Sequence, residues 1–591
     1  VTKKFDLRIS VPACALVLLL SASGCRSSKS TTARGPRKST SSPNTPDYAS
    51  DLQPLVVSQT LPILHWPNFT DYQPQVQAFY DDRNFELAWT RDGRPTSQAT
   101  AFIQAFQDAA LKGLNPDDYD ASLWDGRIQQ LAGKNPTAIA QFDVAMTIGV
   151  MRFVSDLHIG RVNPSHFNFE IDTQQKRYNL PELLSNKVVD SADIPAFITS
   201  VEPDSDTYRQ TEQALAHYLD LAKQQASADT APLPIPAQSI SVGETYPEIA
   251  QLWQRLQLEG DANSGDDAPS ETSKTYSKIL SNAVKNYQQR HGISVDGKLT
   301  PQTVKSMNVP MSARVTQLDD SLERWRWLPD PYLNPRLMVN LPEFLLRGYN
   351  DQHHLDFTMK VVDGKVSGEH QTPVFTHMMK YLIFRPYWNV PVDIAKKELV
   401  PHMVAKPGYL ESKNYEVITN KGVVLPDYTT HQVEHGMVLV REKPGPTNSL
   451  GLVKFMFPNQ YDIYMHSTPE MHLFARSRRD FSHGCVRVQK ADELAVWVLD
   501  GQHDRDQQEW DLDKVQDAMN NGPDNHQVNL KTQLPVVIFY LTAIPTEDGQ
   551  IHFFDDIYGY DAQLQDTLSK GMPYPTKPEP VKPKTKPGDT V

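Results

Sequence analysis

The spacing of apolar residues changes period along this chain, and that change restricts the architectures open to it. Between about residues 56 and 230 the apolar positions recur at helical intervals, as in Ala101, Phe102, Ile103, Ala105, Phe106, Ala109, Ala110 and Leu111, or Phe142, Val144, Ala145, Ile148, Val150, Met151 and Val154. A 3.6-residue period gathers such residues on one side of a helix. From about Arg336 to Tyr560 the apolar residues fall instead in short β-type runs: Leu337 to Leu341, Met359 to Val362, Val423 to Leu425, Val438 to Val440, Lys454 to Phe457, Tyr461 to Met465 and Pro535 to Leu541. One layer pattern cannot accommodate both periods. The 591 residues are therefore expected to fold as a multidomain α+β protein, three or four units at roughly 100–200 residues each.

Turn chemistry marks the joints. Gly113-Leu114-Asn115-Pro116 and Gly160-Arg161-Val162-Asn163-Pro164 close helices of the first domain, and Gln224 to Pro236 reads as a linker. A second unit, about residues 243–310, has two amphipathic faces, Ile249, Leu252, Trp253, Leu256 and Leu258, then Ile279, Ala283, Val284 and Tyr287, separated by an acidic, Gly/Ser-rich insertion from Glu259 to Lys274. Within it Gly292 ends a helix, Asp296-Gly297 makes a tight turn, and Thr300-Pro301 caps the next helix. The run from Ala283 to Val304 resembles the small helical peptidoglycan-binding module of bacterial wall enzymes, with Leu299 at a position that is usually Gly. The alternative for this unit is a structural spacer, since its motif residues are mostly turn formers.

Composition removes several function classes. With 58 Lys+Arg against 71 Asp+Glu the net charge is −13, which disfavours a nucleic-acid partner. A mean hydropathy of −0.49 disfavours a polytopic membrane protein. The three cysteines are Cys14, Cys25 and Cys485, so the folded part holds one thiol and no internal disulfide.

The first residues read as a targeting signal. Lys3, Lys4 and Arg8 precede an apolar run from Ile9 to Leu20 and the small residues Ser21-Ala22-Ser23-Gly24 before Cys25. Ala22-Ser23-Gly24-Cys25 resembles a bacterial lipobox, which implies lipidation of Cys25 after removal of residues 1–24, with Arg26 favouring the outer membrane. Ordinary cleavage to a free periplasmic protein is the alternative. Residues 26–55, rich in Ser, Thr, Pro and basic side chains, read as a disordered tether, and residues 573–591, where Lys577, Lys582, Lys584 and Lys586 alternate with Pro, as a solvated tail.

The chemistry is concentrated in Tyr464-Met465-His466-Ser467, sixteen intervening residues, and then His483-Gly484-Cys485-Val486-Arg487. A lone thiol in an oxidising compartment is a liability unless it is buried or used. As a nucleophile it needs a neighbour to take its proton, since a free thiol of pKa ~8.5 is mostly protonated at neutral pH. His483 and His466 are both candidates. Gly484 would let the backbone turn so that N–H groups face a developing oxyanion. A metal site gathering His466, His472, His483 and Cys485 matches no common zinc spacing.

This stretch resembles the catalytic motif of L,D-transpeptidases (YkuD/ErfK). Arg385-Pro386-Tyr387-Trp388-Asn389-Val390-Pro391 and Pro444-Gly445-Pro446-Thr447-Asn448-Ser449-Leu450-Gly451 are similar to blocks of the large Gram-negative, YcbB-like type. The resemblance implies a helical scaffold domain over residues 56–235 and a mostly β catalytic domain over 336–562 with a cap at about 393–450. It further implies that Cys485 attacks a diaminopimelate carbonyl of a peptidoglycan tetrapeptide stem and releases D-Ala. His466 would be the general base, oriented by the Ser467 carbonyl. His483, Gly484 and the Cys485 amide would shape the oxyanion hole, and a second stem's amine would accept the acyl group in a 3→3 cross-link. Arg487, Tyr464 and Trp388 are candidate substrate contacts, with core packing the alternative for Trp388. No cofactor or metal is implied; carbapenem-type β-lactams are expected to acylate Cys485, and other wall-synthesis enzymes are candidate partners. An L,D-carboxypeptidase or endopeptidase using the same acyl-enzyme, and a non-catalytic wall-anchoring protein, are the competing readings.

Overall fold

The computed structural model describes residues 48–575 except 229–230, 264, 266, 368–369, 505 and 547–548; the proposed signal, Cys25 and most of the C-terminal tail lie outside the described residues. The first domain opens earlier than the apolar period suggested, with α1 (Ala49–Val57) burying Leu52, in the stretch read as tether, and Val56 just after it. Its centre is α2 (Pro136–Ile159), started by Asn135, whose side chain accepts from the Thr137 and Ala138 amides, and ended at Gly160. This helix is long and apolar enough to cross a membrane, but its most apolar stretch is 83% buried in the domain. A last helix, α3 (Asp206–Ala228), follows.

In the second unit α4 (Ile249–Leu258), α5 (Lys278–Arg290) and α6 (Pro301–Met307) enclose their own core of Leu252, Trp253, Leu256, Leu280, Val284 and Tyr287. Leu299 is fully buried in that core, so at this position the chain contributes an apolar anchor where a Gly would contribute none. Leu233, from the expected linker, also belongs to it, with reciprocal 2.8 Å hydrogen bonds between its backbone and the Asn308 side chain. The acidic insertion is likewise partly structural: Arg290 donates to Asp261 at 2.6 and 2.9 Å and to Glu259 at 3.2 Å, all buried.

Between the module and the β region runs α7 (Met311–Trp327), a helix the apolar pattern did not announce because its buried face carries charge. Arg326 donates to the Tyr208 hydroxyl on α3 at 2.9 Å, and Arg324 pairs with Asp561 at 2.5 Å. Paired in this way, guanidinium groups can be buried.

The catalytic region contains, in chain order, β1 (Leu337–Asn340), β2 (Leu345–Tyr349), β3 (Leu355–Gly364), β4 (Phe375–Phe384), β5 (Trp388–Val390), β6 (Tyr415–Ile418), β7 (Leu439–Glu442), β8 (Val453–Met456), β9 (Met465–His466), β10 (Asp480–Ser482), β11 (Val486–Val488) and β12 (His526–Phe539). The pairing order β3-β11-β9-β8-β4-β12-β1-β2 returns to β3, so the sheet closes into a barrel, with β10 added in parallel at the end of β3. Closure removes the unpaired edges that an open sheet would expose. Within the ring β9/β11 and β1/β12 are parallel and the other pairs antiparallel. Two expected strands are not formed as read: Val423 to Leu425 makes only an isolated bridge, Ile418 to Val424, and Tyr461 to Tyr464 is a turn organised by the Asn459 side chain, with Asp462 at φ 53°.

The segment from Trp388 to about Leu450 is the cap. Its sheet, in the order β5-β7-β6, and short helices including α8 (Thr430–Glu434) pack around a separate core of Val390, Ala395, Leu399, Leu410, Val417, Val433 and Val440. After the barrel, α9 (Tyr560–Leu568) carries Asp561. The chain then returns to the first domain, where Tyr574 is buried and donates to Asp118 at 2.9 Å. Residues 573–575 are therefore anchored rather than part of a tail, because this ring and its hydroxyl both find partners.

Candidate active site

Strand register brings the motif together. Met465 on β9 pairs with Val486 on β11; both are fully buried in the main core. Because successive side chains alternate, Tyr464, His466, Cys485 and Arg487 turn to the opposite, outer face. Lys454, directly opposite His466 across β8, joins them. Lys454 was not singled out in the sequence. It lies in an expected strand, and only the pairing reveals its position, with its ammonium 5.4 Å from the centre of the Tyr464 ring.

His466 sits under the loop between β7 and β8. Its Nδ1 is 2.5 Å from the Ser467 carbonyl oxygen. A carbonyl can only accept, so Nδ1 carries the proton and Nε2 keeps a lone pair. Gly451 makes this contact possible: it is at φ 61°, and a Cβ there would stand 2.6 Å from the Ser467 side chain. The loop is tied by Asn448, fully buried, which donates to the carbonyls of Pro386, Glu442 and Lys443 at 3.0–3.3 Å and accepts from the Leu450 amide at 2.8 Å. Two of the sequence blocks quoted above thus meet at one side chain.

Around Cys485 the backbone is fixed by hydroxyls. Ser482 donates to the Cys485 carbonyl at 2.6 Å and accepts from the Gly484 amide at 3.1 Å. Thr372 donates to the Gly484 carbonyl at 2.7 Å while accepting from the Gly364 amide at 2.9 Å. Gly484 lies at φ 118°, a conformation that favours glycine. The Gly484 N–H is thus engaged by Ser482, whereas the amide of Cys485 has no acceptor among the described residues.

The electrostatics leave both the Cys485 thiol and the His466 imidazole neutral. Burial pushes the half-buried Cys485 thiol up to about 11, opposed by hydrogen bonds with Tyr464 and by the Lys454 charge. Burial, with the positive charges of Arg487 and Lys454, brings His466 down to about 3.

The remaining candidates are dispersed. His483 is engaged by the cap: its Nε2 is 2.7 Å from Glu398, and its ring meets His370 edge-on at 4.9 Å. Arg487 is paired with Glu470. Trp388 packs against the cap core, which is the packing alternative stated for it.

Comparison with known proteins agrees with this layout. Residues 74–215 match a scaffold domain, residues 245–307 a "putative peptidoglycan binding domain", and residues 334–516 the L,D-transpeptidase catalytic domain. A Haemophilus influenzae protein named "Putative L,D-transpeptidase" is 30% identical over 276 residues, which is 46% of this chain and 54% of that protein. The chain spans about half the length of this curated relative. A barrel that presents a cysteine and a tautomer-fixed histidine on one face, preceded by these two helical units, agrees with these matches: the chain carries a YkuD-type L,D-transpeptidase catalytic domain together with a peptidoglycan-binding domain.

Proposed function

We propose that the protein forms 3→3 peptidoglycan cross-links outside the cytoplasm through a thioester on Cys485. The observation that carries this reading is the shared outer face of His466 and Cys485, with the Nδ1 contact to Ser467 leaving the lone pair on His466 Nε2. Cys485 Sγ attacks the diaminopimelate carbonyl of a tetrapeptide stem as its proton passes to His466 Nε2. The Cys485 amide donates to the oxyanion, and collapse expels D-Ala, which takes the proton from His466. The amine of a second stem then attacks the thioester, losing a proton to His466 and returning the thiol. Each acyl bond formed replaces one broken, so no nucleotide is consumed. Arg487 and Tyr464 flank this path, and the signal-like N-terminus with Cys25 would place the enzyme in the periplasm, tethered to the outer membrane.

Incubation with disaccharide-tetrapeptides, followed by mass analysis, tests the reading. Cross-linked dimers and an acyl adduct on Cys485 are expected. Cys485→Ala should lose both while its circular dichroism is unchanged, and His466→Ala should retain a titratable thiol but acylate at least about 100-fold more slowly. Released tripeptides without dimers would instead identify an L,D-carboxypeptidase. Dimer formation by Cys485→Ala would reject the nucleophile.

A further inference from the structure

We propose that the cap holds a site for a divalent transition-metal ion, of the zinc class, built from His431, Glu434 and His435. The three residues fall at i, i+3 and i+4 of α8 and its C-terminal cap, hence on one side of a single helical turn. One nitrogen of each ring and one carboxylate oxygen lie within 4.8 Å of one another. Bonds of ~2.0–2.1 Å in a tetrahedral site require donors about 3.3–3.5 Å apart, a distance that rotation of these side chains can reach because both histidines are exposed and Glu434 is half-buried. The imidazoles already face each other, with ring centres 4.1 Å apart and planes inclined at 41°.

Two features prepare the site before any ion arrives. His435 Nδ1 lies 2.9 Å from the His431 carbonyl, so it must carry the proton. That leaves Nε2 with its lone pair, the arrangement in which a backbone carbonyl behind the ring sets a ligating histidine. The turn itself is rigid: Thr429 and Gln432 form a reciprocal capping box, Gly436 at φ 63° ends it, and Val433 is buried in the cap core. Two imidazoles, one carboxylate and a water suit zinc, nickel or copper rather than calcium or magnesium, which favour all-oxygen shells. The same core includes Ala395 and Leu399, which bracket Glu398, so an ion here stiffens the part of the cap that reaches His483.

The test uses untagged full-length protein with all three cysteines alkylated, so that no thiol can bind metal, titrated calorimetrically with zinc chloride. A saturable site is expected that magnesium does not displace. His431→Asn, His435→Asn and Glu434→Gln should each weaken zinc binding by about tenfold or more, with the metal-free melting temperature unchanged. Absence of a saturable zinc isotherm in the parent protein, or an isotherm unaltered in the His431→Asn/His435→Asn double variant, overturns the proposal. Because the readout is binding, it does not depend on the transpeptidase reading.

Discussion

At the scale of single residues, the thiol and imidazole are held neutral, and this sets how the site should respond to pH. A group with a raised pKa is mostly protonated below it, so the Cys485 thiolate is scarce at neutral pH and grows as pH rises toward about 11. A histidine lowered to about 3 stays unprotonated, and therefore competent as a base, across all ordinary pH. Alkylation of Cys485 by iodoacetamide is accordingly expected to climb by about tenfold per pH unit from neutrality toward 11. A flat profile between pH 5 and 8 would show a preformed thiolate–imidazolium pair instead. Stem-peptide acylation should keep its rate as pH falls below the usual imidazole range, measured at constant ionic strength. The motif residues were legible because His466, Gly484 and Cys485 are types with few bland uses in that spacing. Lys454, Thr372 and Asn448 were not, since a strand lysine and buried hydroxyl or amide groups acquire their roles only through register and loop closure.

At the scale of elements, the cap touches the motif through Glu398 and His483. Glu398 lies on a turn of π geometry (Ala395–Leu399), a local distortion often found at functional sites. Loss of its charge should free His483 without disturbing the barrel. Glu398→Gln is therefore expected to lower donor acylation by up to about 100-fold, the scale on which misplacement by an ångström acts, while Cys485 alkylation and the melting temperature stay at parent values. An unchanged acylation rate would show the pair to be incidental. The cap illustrates what the sequence could and could not reveal. Its charged, interrupted character separated it from the barrel. Its strands were harder to find, because β5 and β6 are only three and four residues long and Val423 to Leu425, rich in β-formers, is turned back at Lys421-Gly422 to meet β6 in a single bridge.

At the scale of the whole molecule, the barrel is braced by helices distant in sequence. α7 and α9 meet through Arg324 and Asp561, and Thr542 donates to the same carboxylate at 2.5 Å. Removing one member of a buried pair leaves the other uncompensated, at about 3–5 kcal/mol. Arg324→Met should thus lower the urea midpoint of the transition followed by tryptophan fluorescence, with Trp325 and Trp327 beside the change. A midpoint equal to the parent's would mean that Asp561 is satisfied without the arginine. This helix escaped the periodicity analysis for the same reason that it matters here: polar residues fill positions where apolar ones are expected, and only their partners explain their burial.

The closing of the ring also dictates an order of events during synthesis. β1 is completed by Asn340, yet its parallel neighbour β12 begins only at His526. A chain emerging N-terminus first can finish its helical units early, but the barrel must wait for nearly two hundred further residues before its first and last strands meet. Long-range pairing of this kind is slow to form, so nascent protein crosses a period in which its motif strands have no closed support, and escort by a holding chaperone would be of most use then.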